Sequence, residues 1–351
     1  MIKESKFLTS NNFANISDFI FSEVVSKDKF YSLPNFEKLL IINESKSKEG
    51  EYVWYLNPNL DINENDVVFC HSEVVEFLFK YLKDIQNVKN IKLITHQSDR
   101  SINKKLFLKK PNCISEWYGT NVVVNSKNLI SIPLGIGNEY LNVYKDQKKT
   151  INKLNSEKKI KNNSAFMNFR INTNTRERLK AFFALSGEPW INIKYNKQSP
   201  EEYLSELDSS AYTICPWGNG YDTHRIWESL YLGSIPVTKY HHAYDQFKDL
   251  PIIFIKRWKN IDTQFLSVQA DSFQKNNLEK LYIDYWEKKI KGKNISSIGV
   301  LHYFLSEKEK EELMLNIRKK LKLNKKIKNI KTFLDKFYFL KVKHYFTFKN
   351  N

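Results

Sequence analysis

With 351 residues, 41% of them hydrophobic and 24 Phe and 19 Tyr among them, the chain is too apolar to be disordered and long enough for two domains of ordinary size. Its net charge of +17 raises nucleic acid as a partner, yet twelve Lys and Arg fall between Arg318 and Lys349 against the single acid Asp335, leaving the rest at +6, so the basic character is an appendage. No apolar run approaches the roughly 18 residues of a membrane span, the start MIKESKFLTSNNF has no apolar signal core, and Cys70, Cys113 and Cys215 show no CxxC spacing; a cytoplasmic chain with buried thiols, and neither a disulfide framework nor a zinc knot, is expected.

Taken in chain order, short apolar runs alternate with helical patterns: KLLIIN (38–43), DVVFC (66–70), the helical EVVEFLFKYLKDI (73–85), IKLITH (91–96), NVVVN (121–125) and LISIPLGI (129–136). That alternation predicts a largely parallel α/β sheet in a first domain over 1–150. A Lys- and Asn-rich stretch, 141–163, has little to bury and reads as an interdomain linker. The alternation then restarts with AFMNF (165–169), a helix from about Thr175 to Leu185, WINIK (190–194), AYTIC (211–215), SIPVT (234–238) and PIIFI (251–255), giving a second α/β domain over 160–300. Ser199-Pro200-Glu201-Glu202 places Ser at N-cap, Pro at N1 and Glu at N3, a capping box that starts another helix. From Asp262 onward the pattern is helical, with no strand as clear as those before it, and no solenoid repeat is present.

Residues 301–351 form a basic tail in which Phe333, Leu334, Phe337, Tyr338, Phe339, Leu340, Tyr345, Phe346 and Phe348 interleave with lysines. Such a segment suits the surface of an anionic membrane; packing back on the body is the alternative. No zinc-finger spacing or RNP-type aromatic motif accompanies it, so no nucleic-acid partner is expected.

The chemistry concentrates in CPWGNGYDTHRIWESLYLGSIPVTK, residues 215–239. Pro216 ends the preceding strand, Gly218-Asn219-Gly220 is a loop, and a helix begins near Thr223. At 100° per residue Ile226, Trp227, Leu230 and Tyr231 share a buried arc, His224, Arg225 and Glu228 share the adjoining polar arc, and Gly233 is the C-terminal cap. Cations in a first turn oppose the helix dipole unless an anion is bound there, and glycines ahead of the helix allow close approach to its N–H groups; phosphate fits both. Glu228, one turn in, is placed to accept from ribose hydroxyls. The bland alternative is a tight Asn219-Gly220 turn followed by solvated side chains.

This run resembles the signature of exostosin-like glycosyltransferases, of the form C-P-x-G-x-G-x-D-T-H-R-x-W-E-x-L-x-x-G-x-I-P-V, over some twenty positions. AFMNFRINTNTRER (165–178) is similar to the strand and loop that open the nucleotide-sugar domain of related sequences, with Arg176 or Arg178 in reach of a phosphate, and LITHQSDRSI and SIPLGIGNE more loosely resemble acceptor-side segments of bacterial and viral relatives. The resemblance implies the GT-B architecture, two Rossmann-like domains facing a cleft, and sugar transfer with inversion from a nucleotide sugar to a glycan acceptor. Without the secretory anchor and paired cysteines of animal exostosins, synthesis of capsule or lipopolysaccharide on a lipid-linked acceptor fits better than a role in heparan synthesis.

No convincing Asp-x-Asp is present, so no metal or other cofactor is expected, and cations and helix N–H groups take over stabilisation of the leaving diphosphate. Arg225, His224 and Arg176 are assigned to the diphosphate, with Gly218, Asn219, Gly220 and Thr223 forming its loop and Glu228 the ribose contact. A base that deprotonates the acceptor belongs at a strand end of the first domain: Asp99, then His96, then Glu116. His241-His242 lacks a third ligand and reads as structural or acceptor-contacting. Two readings outside this class are a non-catalytic nucleotide or glycan binder, and a nucleic-acid-binding protein acting through the tail.

Overall fold

The structure, a computed structural model, describes residues 2–349 apart from 86, 158, 195–197, 274–277 and 293–298, and the side chains of its last helix to residue 333 except 331. A short helix, α1 (Ser10–Asn15), leads into β1 (Phe19–Ser26); α2 (Lys27–Tyr31), the hairpin of β2 (Leu40–Ser47) and β3 (Gly50–Leu56), and β4 (Asn59–Asn63) follow. Parallel strands then alternate with helices: β5 (Val67–His71), α3 (Val75–Leu82), β6 (Ile91–His96), α4 (Lys104–Phe107), β7 (Ile114–Gly119) and β8 (Leu129–Ser131). The resulting sheet has the order β2-β3-β1-β5-β6-β7-β8, parallel from β1 to β8 with β3 and β2 added antiparallel at one edge. Its side chains alternate between two cores, as the pleat requires. Val68, Cys70, Leu93 and Trp117 face Leu78 and Phe79 of α3, whereas Val67, Phe69, Ile94 and Tyr118 face Phe13 of α1.

The stretch 141–163, read above as a linker, instead holds α5 (Gln147–Glu157), whose Ile151 and Leu154 are buried. Its polar composition conceals two apolar residues one turn apart, enough to seat it. The second domain is built from β9 (Asn162–Met167), α6 (Thr175–Leu185), β10 (Ile191–Ile193), α7 (Pro200–Ser209), β11 (Ser210–Ile214), α8 (His224–Tyr231), β12 (Ile235–Lys239), β13 (Ile253–Ile255) and α9 (Thr263–Asp271). All five strands are parallel in the order β10-β9-β11-β12-β13. The chain steps from β9 to β10 on one side and then returns past β9 to β11, so a topological switch point opens between the carboxyl ends of β9 and β11. The capping box at Ser199 forms, with Ser199 Oγ accepting from Glu202 N at 3.2 Å and Ser199 N donating to Glu202 Oε2 at 2.7 Å. Gly233 takes a φ of +68° after α8, where an L side chain is strained.

The chain does not stay in the second domain. Helix α10 (Ile283–Lys291) packs Trp286 edge-on to Phe13, β14 (Val300–Phe304) pairs antiparallel with β4, and Leu313 and Ile317 of α11 (Glu307–Lys349) complete the α3 side of the first core. The helical reading after 262, with no strand as clear as those before it, is thereby corrected, since β14 finds its partner some 240 residues earlier, beyond any local pattern. NVVVN (121–125) is likewise not a strand; Val122 makes one isolated bridge to Ile102. One apolar cluster runs without interruption from Phe69 and Phe13 through Trp286 to Ile226, Trp227, Leu230 and Tyr231 of α8, so two α/β domains face each other across a cleft whose closed end is a shared core. All three cysteines are buried free thiols. No helix among the described residues is long and apolar enough to cross a membrane. In the tail the backbone is helical to Lys349, while the side chains of Leu334, Phe337, Tyr338, Phe339, Leu340, Tyr345, Phe346 and Phe348 lie outside the described residues.

Candidate functional site

At the switch point of the second sheet lies a cavity of about 870 Å3, open on one side to the cleft. Residues following β9 (Asn168, Phe169, Arg170), the loop 218–223 and the polar arc of α8 (His224, Arg225, Glu228) form one wall; Asp99, Leu134, Tyr144 and Gln147 form the other. Each element arrives for a local reason. Cys215-Pro216 ends β11 at its carboxyl edge, and Thr223, with extended φ and ψ, is the N-cap whose helix turns its apolar residues down and its polar ones into the cavity.

Two guanidiniums share the cavity. Arg178 is buried and fixed, Nε donating to Trp217 O at 3.1 Å and Nη1 to Arg170 O at 2.6 Å, so it clamps both loops of the switch point. Burial and the neighbouring Arg225 lower its pKa to about 9. Arg225 lies over the Tyr203 ring, 5.9 Å from guanidinium carbon to centroid. Its Nε is buried with no hydrogen-bond partner. Burial alone would weaken its charge, but Tyr203, Cys215 and Glu228 more than offset that and raise its pKa. Arg170, exposed, adds a third cation at the rim. A buried donor left unpaired is costly, and Arg225 lines the cavity beside a second cation, Arg178, which it repels; an anionic ligand would relieve that repulsion.

His224, the first residue of α8, approaches Gly135 O through Nδ1 at 2.7 Å. A carbonyl only accepts, so Nδ1 carries the proton and Nε2 is left to the cavity. Glu228 is 3% exposed, with Oε1 accepting from Gln147 Nε2 at 2.7 Å and Oε2 from the Tyr203 hydroxyl at 2.9 Å. Each oxygen keeps a second lone pair for a ligand hydroxyl. Thr223 makes no side-chain cap, and its buried Oγ1 has no partner.

Several expectations are corrected. Arg176 is exposed and does not line the cavity; Arg178, half a turn on, does. Gly218 and Gly220 do line the cavity, and they also make room for protein: a Cβ at 218 would sit 2.9 Å from Arg178 Nη2, and one at 220 would overlap the Asn121 amide. His96 is 1% exposed, stacks on Phe13, accepts from Gln97 N through Nδ1 at 2.7 Å and donates through Nε2 to Pro133 O at 3.1 Å. Burial lowers its pKa to about 3, so it is a neutral structural histidine with no nitrogen to spare. Glu116, in mid-strand, accepts from the Tyr118 hydroxyl at 2.9 Å and lies away from the cavity. Asp99 alone of the three candidates lines it, exposed, its Oδ2 accepting from Asn219 Nδ2 across the cleft at 3.1 Å. His242 approaches Asp245 at 3.8 Å, while His241 stacks on Tyr221 with centroids 3.5 Å apart. Among the described residues no group of His, Cys, Asp and Glu is arranged to hold a metal ion.

Three residues escaped sequence reasoning. Asp222, 3% exposed, accepts from Leu134 N at 2.8 Å and from Trp227 Nε1 at 2.9 Å, and burial lifts its carboxyl to about 7. Asn121, at a φ of +55°, accepts through Oδ1 from Tyr221 N at 2.9 Å and Asp222 N at 3.3 Å. Gln147 sat in the presumed linker. The DTHR run marked Asp222 as part of a motif, but only the fold shows that it ties α8 to the other domain.

Residues 142–298 match the family model of the RXYLT1 C-terminal domain, which is glycosyltransferase-related. That span carries Tyr144, Gln147, Arg170, Arg178, Arg225 and Glu228 and ends before β14, leaving out Asp99 and the whole first sheet. No curated protein matches the chain. An alpha1,3-fucosyltransferase crystal structure is similar at 13% identity, with a TM-score of 0.32 over 76% of this chain and 78% of that one.

Proposed function

We propose that the protein is a glycosyltransferase that binds a nucleotide sugar in the cavity at the switch point of its second sheet and transfers the sugar to a hydroxyl of a glycan acceptor held by the first domain. The observation that carries this reading is Arg225, a cation at the start of α8 whose buried Nε has no partner in a cavity it shares with Arg178. The diphosphate lies against Arg225, Arg170 and the N–H groups of α8, with His224 beside it, and developing charge on the leaving oxygen is stabilised by these cations and N–H groups. Glu228, held by Gln147 and Tyr203, takes the ribose hydroxyls. Phe169, Phe182 and Ile193, with the amides of Asn168 and Gln198 joined at 2.6 Å, suit a nucleobase at the far end.

Asp99 acts as base on the acceptor hydroxyl. It stands on the wall opposite α8, and attack from the side away from the leaving diphosphate inverts the anomeric carbon. Transfer proceeds without a metal, the cations supplying the electrostatic stabilisation. The acceptor belongs to a surface polysaccharide, by the resemblance of LITHQSDRSI and SIPLGIGNE to segments of bacterial and viral relatives.

Calorimetric titration with UDP, GDP and CMP and their sugars, with and without EDTA, tests the reading. One nucleotide should bind, EDTA should leave its affinity unchanged, and Arg225→Ala should weaken it roughly 10- to 100-fold, the range of a lost charged hydrogen bond. Unchanged affinity in Arg225→Ala would sink the placement of the diphosphate, and loss of binding in EDTA would sink the metal-free route.

A further inference from the structure

Helix α11 is apolar on two sides. Leu313, Ile317 and Leu321 face the first domain. On the opposite side Leu315, Leu323, Ile327 and Ile330 are 52%, 58%, 56% and 60% exposed, and at 100° per residue they fall within an arc of about 120°. From Lys322 to Ile330 every side chain is exposed except Asn324, which donates to Glu73 Oε2 at 2.9 Å, so the second stripe stays uncovered although the helix also runs against β2 and α6. Around that stripe the stretch from Arg318 to Lys331 holds eight Lys and Arg and no acid.

A second element joins it. The loop after α4 presents Leu108, 73% exposed, between Lys104, Lys105, Lys109 and Lys110. Glu76 of α3 ties the two together, receiving Lys109 Nζ at 2.6 Å, Lys320 Nζ at 3.1 Å and Arg100 Nη2 at 2.6 Å. Arg100 follows Asp99, which lines the cavity, so this surface adjoins the mouth of the cleft.

We propose that the exposed stripe of α11 and the Leu108 loop together dock on an anionic lipid bilayer. Branched aliphatic side chains ringed by lysines insert at the headgroup boundary while the ammonium groups reach up to lipid phosphates. Nucleic acid would use the cations but gain nothing from four exposed Leu and Ile. The docking stands without the reaction proposed above; if both hold, the cleft opens beside the membrane, where a lipid-linked acceptor is delivered.

Flotation of the full chain with two vesicle types, phosphatidylcholine alone and phosphatidylcholine with a substantial fraction of phosphatidylglycerol, tests it. Binding to the anionic vesicles should be tighter by roughly tenfold or more and should weaken with salt. Leu323→Glu with Ile327→Glu should remove most of it, and Leu108→Glu part of it, with unfolding midpoints unchanged because all three positions are exposed. Retention of binding in the aliphatic variants, no preference for anionic vesicles, or tighter binding to duplex DNA than to the vesicles would overturn the assignment. Nucleotide titration without vesicles reads the cavity alone, so failure of one proposal is visible apart from the other.

Discussion

The two walls of the cavity are made differently. The α8 wall draws its polar groups from one continuous run, 218–228, joined by Arg170 and Arg178 from the neighbouring loop and helix, whereas the facing wall takes Asp99, Leu134, and Tyr144 with Gln147 from three separate places in the chain. The first holds cations around the proposed anion site; the second supplies a lone exposed carboxylate and hydrogen bonds that hold the first in position. A single helix start can bind a diphosphate because its donors and charges are local, but what faces it must be assembled by the fold.

Substitutions can break this division or sharpen it. The largest effect is expected at Asp99→Asn: turnover should fall by roughly 10²- to 10⁴-fold, the usual contribution of a general base, while nucleotide affinity holds because Asn still accepts from Asn219. Full turnover in that variant would move the base elsewhere. Next, Arg225→Lys should retain part of the nucleotide affinity that Arg225→Ala loses, since an ammonium keeps the charge but not the planar fork; equal losses in calorimetry would argue that charge is not what the site uses.

The seam between the walls is the third target. Gly220→Ala forces a Cβ into the Asn121 amide and should cost about 1–3 kcal/mol in denaturant unfolding. In Asn121→Ala the same methyl has room, although Tyr221 N and Asp222 N lose their acceptor, so the double variant should be less unstable than the sum of the singles. Strict additivity would show that the loop and Asn121 are not in contact. A pH-dependent effect belongs to Asp222. Because its carboxyl is lifted from 3.8 to about 7, the folded state holds a proton that the unfolded chain has already released between those values. Its contribution to stability is therefore full below about pH 4 and is lost as pH rises toward 7. Asp222→Asn should flatten that part of the profile in thermal unfolding; an unchanged slope would assign it to other groups. Smallest is Arg176→Ala, exposed and outside the cavity, which should alter stability and nucleotide affinity by less than about 0.5 kcal/mol.

What sequence reasoning could reach follows the same division. The α8 wall was legible because its information is periodic and local: apolar residues at helical spacing, a capping glycine, polar residues on one arc. His96 was misjudged for the opposite reason. Its position at the end of β6 is local, but the Pro133 carbonyl that occupies its second nitrogen comes from a segment 37 residues away. Gln147 was hidden by composition, since the lysines and asparagines of α5 outweigh Ile151 and Leu154 in any average yet not in the core. Glu116 failed by pleat and depth, lying in mid-strand when a base is needed at the strand's carboxyl end.

The return of the chain to its first domain has a bearing on how the molecule is made. The β4 edge and the α3 side of the first core wait for Val300–Phe304, Leu313 and Ile317. A ribosome has therefore to finish the entire second domain before the first core can be covered and β4 can find its partner. During that interval β4 is an open edge beside uncovered Leu60 and Ile62, the kind of surface that recruits chaperones or pairs with a neighbouring nascent chain. Synthesis halted near residue 298 would release a product with one complete domain and one unfinished one.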